Sequence, residues 1–122
     1  MSRTTDRLLL LDGRLTPGAG GGAFETIDPA TEEVLGTAAD GTPEDMDRAI
    51  GAARRAFDET SWSSNTAFRV RCLRQLREAM RRRSEELREI TIREVGAPRF
   101  LTFGGLLDAP VDDLGWFAEL AE

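Results

Sequence analysis

At Thr42-Pro43-Glu44-Asp45 the apolar pattern of the chain changes period, and that change limits it to an α+β plan. Before this point the apolar residues come in short runs broken by turn chemistry; after it they recur at helical spacing. Leu8-Leu9-Leu10-Leu11 is stopped by Asp12-Gly13, a pair that accepts positive φ at both turn positions, so Arg14-Leu15-Thr16 reads as the return strand of a hairpin. Pro17 to Gly22 is a glycine-rich loop. Phe24-Glu25-Thr26-Ile27 alternates like a half-buried strand, Asp28-Pro29-Ala30-Thr31 is a turn, and Val34 to Ala38 closes a second hairpin. Residues 1–7 are polar and read as a disordered N-terminus.

Thr42 supplies a hydroxyl N-cap, Pro43 the first helical position, and Glu44 and Asp45 face the positive end of the helix dipole. Met46, Ile50, Ala53 and Phe57 then form one helical face. A second helix is predicted from about Thr66 to Arg83, with Cys72, Leu73, Leu76, Ala79 and Met80 apolar. Ser84 is the expected cap of a third helix, with Glu85 and Glu86 in its first turn and Leu87, Ile90 and Val95 inward. Gly96 and Pro98 stop it. Residues 97–109 read as irregular. Pro110 opens a fourth helix with Leu114, Phe117, Ala118 and Ala121 on a stripe.

Composition removes several chemistries. All 16 basic residues are arginine, against 22 acids and a net charge of −6, and there is no histidine, lysine or tyrosine. Histidine bases, Ser–His–Asp triads, His-rich zinc sites, Walker phosphate loops and lysine Schiff bases therefore cannot be built from these residues. The single Cys72 makes no intramolecular disulfide, and no run reaches the roughly 18 apolar residues of a membrane helix, so a cytoplasmic location without membrane contact is expected.

The remaining motifs read blandly. Gly18-Ala19-Gly20-Gly21-Gly22-Ala23 matches the letters of a dinucleotide fingerprint, but a strand rather than a helix is predicted after it. Cys72 shares a face with Leu76 and Ala79 and reads as a buried thiol. Arg69, Arg71, Arg74, Arg77, Arg81, Arg82 and Arg83 make the second helix basic. With an acidic chain around them they read as a solvated face paired with Glu78, Glu85, Glu86 and Glu89, not as a nucleic-acid contact. Asp112-Asp113 and Glu85-Glu86 are sequential acids at helix starts, where neighbours diverge by about 100° and cannot converge on one substrate.

The order of these pieces resembles the N-terminal part of the aldehyde dehydrogenase superfamily. Leu11-Asp12-Gly13-Arg14 is similar to its opening I-D-G hairpin. Phe24 to Gly36 resembles F-x-x-x-N-P-A-T-G-E-V-I-G, with Asp28 for the asparagine and Glu32 for the glycine. Glu44 to Phe57 resembles D-V-D-x-A-V-x-A-A-R-x-A-F. Trp62 and Arg69 fall where the family has a tryptophan and the arginine that begins the next helix. Glu94 to Pro98 resembles E-x-G-K-P with Ala97 for lysine, and Trp116-Phe117-Ala118 resembles R-Y-Y-A. The likeness covers about residues 8–99 and 114–121.

The resemblance implies the α/β fold of that family, with residues 8–122 an incomplete part of its cofactor domain: two hairpins followed by about four helices. It implies NAD(P)-dependent oxidation of an aldehyde to a carboxylate, using a cysteine thiolate, an oxyanion hole and a glutamate base. In the family those groups come later in the chain, and Cys72 does not align with the nucleophile. No catalytic, cofactor-binding or metal residue is therefore assigned here. The chain by itself is expected to be a truncated fragment, inactive, binding no NAD or NADP, and poorly stable. It is expected to rely on self-association, on the complementary remainder of the enzyme or on a full-length homologous subunit. A second reading is a small non-catalytic interaction or regulatory protein that binds such a relative.

Overall fold

The computed structural model describes residues 8–122; the predicted disordered stretch 1–7 lies outside them. The described chain divides into two compact units. One holds the residues up to Ile27 with Glu32–Thr60, the other Asp28–Thr31 with Ser61–Glu122.

In the first unit β1 (Leu8–Leu11) pairs antiparallel with β2 (Arg14–Pro17), Leu11 opposite Arg14. Asp12 and Gly13 take φ of 53° and 72°, the primed turn expected of that pair. β3 (Ala23–Ile27) pairs antiparallel with β4 (Val34–Ala39), with an irregularity in register between Thr26 and Ile27. The helix α1 spans Pro43–Glu59 and opens with a complete capping box: Thr42 accepts from the Asp45 N–H, and Asp45 accepts from the Thr42 N–H.

The bulky members of the predicted face of α1 are not the ones that pack. Met46, Ile50 and Phe57 are 62%, 59% and 49% exposed, whereas Asp45 and Ala52 are buried and Ala49 half-buried. Small side chains let the helix lie close to the first hairpin, and a cavity of about 310 Å³ there is lined by Leu10, Leu11, Ala49, Ala52, Ala53 and Ala56. The bulky stripe points the other way.

The second unit is helical. It contains α2 (Thr66–Arg82), α3 (Ser84–Val95), a single turn α4 (Arg99–Thr102) and α5 (Asp108–Leu120). Asn65 caps α2 by accepting from the Phe68 N–H at 2.9 Å. Arg69 donates to the carbonyls of Trp62 (2.6 Å) and Ser63 (3.2 Å), fixing the loop in which Trp62 meets the Phe68 ring edge-to-face. α2 packs on α5, and the buried apolar residues of the unit are Val70, Leu107, Val111 and Ala118.

Four expectations change here. Five helices replace about four, because α4 forms inside the stretch read as irregular. Ser84 is the first residue of α3 rather than its cap: α2 ends one residue earlier, leaving no room for an extended capping residue, and Arg83 occupies that place without a side-chain cap bond. α5 begins at Asp108, with Pro110 inside its first turn, where its missing N–H costs nothing. Finally, Leu76, Ile90, Val95, Phe117 and Ala121 are exposed. Cys72, Leu73, Ala79, Met80, Leu87 and Leu114 are half-buried. Among the described residues no helix is long and apolar enough to cross a membrane.

Gly96 ends α3 at φ +68°, donating its N–H to the Ile92 carbonyl. A β-carbon there would stand 2.7 Å from Pro29 Cγ. The Asp28 carboxylate, buried, accepts from the Ala30 N–H (2.9 Å) and the Thr31 N–H (3.4 Å), with Arg93 3.7 Å away. An aspartate thus closes the turn as an asparagine oxygen would. Glu32, which stands where the family pattern has glycine, adopts φ 62°.

Candidate functional site

The glycine-rich loop is the first place to look for an anion cradle. Its geometry contradicts that use. β3 follows it, so no helix N-terminus lines up its amides. The Ala19 N–H already donates to both carboxylate oxygens of Asp45, at 3.1 and 3.0 Å. The same carboxylate accepts from the Thr42 N–H (3.0 Å), the Thr42 hydroxyl (2.9 Å) and Arg48 (3.2 Å). The Thr42 N–H above all, opposed by burial and joined by Ala19, the Thr42 hydroxyl and Arg48, holds the Asp45 carboxyl below its ordinary value. A pyrophosphate would meet a fixed negative charge there, so these residues do not fit a nicotinamide dinucleotide.

The densest polar cluster of the second unit surrounds Arg88. Its guanidinium, 3% exposed, donates to Glu85 (2.9 Å), to the fully buried Thr102 hydroxyl (2.7 Å) and to Asp108 (2.9 Å), and lies 4.1 Å from the Phe103 ring centre. The Thr102 hydroxyl in turn donates to the Arg99 carbonyl at 2.6 Å. Arg99 pairs with Glu85 at 3.2 Å and also with Glu89. Each nitrogen of the Arg88 guanidinium donates to a protein acceptor, so the cluster ties α3, α4 and the start of α5 together. The hydrogen bond that Arg88 donates to Glu85 is the chief cause that lowers the Glu85 carboxyl and raises the Arg88 guanidinium.

The other residues singled out in the sequence are dispersed. Cys72 is half-buried on α2. The α2 arginines are engaged: Arg71 over the Phe68 ring, Arg74 with Glu122, Arg77 and Arg81 both with Asp112, Arg82 with Glu78, and Arg83 with Glu86. The anticipated pairing with Glu85 and Glu89 is replaced by Asp112 and Glu122, because α5 packs along α2 while Glu85 and Glu89 turn to Arg88 and Arg99. Arg81 chiefly, then Arg77, lowers the Asp112 carboxyl. A groove of about 1050 Å³ along α2 is lined by Val70, Arg71, Arg74, Glu78, Arg82 and Glu122 among others, and its cations at 74 and 82 are matched by acids. Sequence alone does not single out Asp45 or Arg88 as a centre. Thr42-x-x-Asp45 carried a capping signal; nothing in the spacing around Arg88 marks it as interior.

The sequence model described as "Aldehyde dehydrogenase family" matches residues 16–122. The chain is 40% identical over 91 residues to aldehyde dehydrogenase family 2 member B4, mitochondrial, of Arabidopsis thaliana. That match covers 74% of this chain and 17% of the relative. It is 32% identical over 111 residues to the putative aldehyde dehydrogenase DhaS of Bacillus subtilis, covering 90% of this chain and 22% of that one. Among solved structures it is similar to the aldehyde dehydrogenase of Bacillus cereus in its NAD+ complex. There the TM-score is 0.86 at 30% identity, over 93% of this chain and 23% of the other. The chain spans about a fifth of the length of the curated relatives it matches.

Proposed function

Because the chain belongs to the aldehyde dehydrogenase family, we propose that its residues form the N-terminal scaffold of an NAD(P)-dependent enzyme that oxidises an aldehyde to a carboxylate. The observation that carries this reading is the fold match that takes in nearly the whole chain but under a quarter of its NAD+-bound neighbour. Two features of the chain support it. Its polar clusters at Asp45 and Arg88 are satisfied internally, as those of a scaffold are. Its α1 and α5 leave Met46, Ile50, Phe57, Trp116 and Leu120 open to water, surface that further polypeptide would cover.

On this reading the residues of the chain act by position. The hairpins and α1 brace a neighbouring cofactor layer, and the Arg88 cluster fixes the start of α5. The nicotinamide of NAD or NADP, held by other polypeptide, supplies the hydride acceptor. The nucleophile, oxyanion donors and base are likewise contributed outside these residues, and Cys72 is not the nucleophile. The 122 residues alone then turn over no aldehyde and bind no dinucleotide. Their partner is the complementary remainder of such an enzyme or a homologous subunit, in the cytoplasm.

The test is complementation. The chain is purified alone, mixed with the separately produced remainder of a homologous enzyme, and assayed for reduced nicotinamide with propanal and NAD. Activity in the mixture and none in either part is expected. Turnover of propanal by the chain alone would overturn the proposal, as would a mixture in which the chain neither binds the remainder nor restores activity.

A further inference from the structure

We draw no further inference here: the strongest candidate, the exposed apolar face of α1 formed by Met46, Ile50 and Phe57, carries nothing because nothing in the structure shows what covers it.

Discussion

Replacing Gly96 with alanine strikes the tightest approach in the second unit. Gly96 sits at φ +68°, where an L residue costs about 1–2 kcal/mol. The new β-carbon would also lie 2.7 Å from Pro29 Cγ and 3.5 Å from Pro29 Cβ. A pyrrolidine ring cannot swing away like the end of a long side chain, so the turn at Asp28–Thr31 or the end of α3 must move, and overpacking of this kind costs about 1–3 kcal/mol. The two effects together come to about 3 kcal/mol, a large share of the roughly 5–15 kcal/mol that holds an ordinary domain together. With a urea m-value of about 1.5 kcal/mol/M, the unfolding midpoint falls by about 2 M. Fluorescence of Trp62 and Trp116, both in this unit, reads the transition. A chain of low initial stability would instead be unfolded without urea, which far-UV circular dichroism detects. Pro29→Ala removes Cγ, so in a double-mutant cycle the pair should recover the packing share and keep the backbone share of about 1–2 kcal/mol. A Gly96→Ala midpoint within about 0.3 M of the parent, or a pair showing no coupling, would refute the reasoning.

Glu32→Gly is expected to stabilise by a few tenths to about 1 kcal/mol, since relief of the left-handed backbone outweighs the added freedom of the unfolded chain; a lower urea midpoint would contradict it. Gly115→Ala pushes a β-carbon within 2.9 Å of Arg77 Cζ, but that guanidinium is the movable end of a long side chain. Loss of its exposed pair with Asp112 is offset by alanine's helix propensity of about 1 kcal/mol, so stability changes by less than about 0.5 kcal/mol, as thermal melts should show. The depressed Asp45 carboxyl gives stability that is complete above its ordinary value of 3.8 and is lost as pH falls through the lower folded value. Asp45→Asn should therefore flatten the acid side of a plot of urea midpoint against pH; an unchanged slope would remove Asp45 from the account. Half-buried Cys72 should react slowly with iodoacetamide in the native chain and quickly in urea; equal rates would place it at the surface.

Local chemistry was legible from sequence wherever it is strongly directional. Asp12-Gly13, Thr42-Pro43 and Gly96 each demand a particular backbone, and each adopts it. The choice between faces of α1 was not legible. The stripe 46-50-53-57 and the stripe 45-49-52-56 have the same spacing, and bulk favours the first, but the side facing the first hairpin is lined by Ala49, Ala52 and Ala56 of the second with only Ala53 of the first. Arg88 could not be placed in the interior from sequence: arginine is buried only when paired, and its partners Thr102 and Asp108 lie 14 and 20 residues away. α4 is too short for a period to register. The strand after the glycine-rich loop is legible in the alternation of Phe24 to Ile27, and β3 is that strand; the loop's attachment to Asp45, 26 residues downstream of Ala19, is not visible in the letters.

With Asp45 seated on the Ala19 amide, any incoming anion must evict a tethered competitor whose effective concentration is on the order of millimolar or above. The loop therefore carries its own stand-in guest. The run of glycines is thereby tied to the first turn of α1, 26 residues further on, by a bond made within the chain.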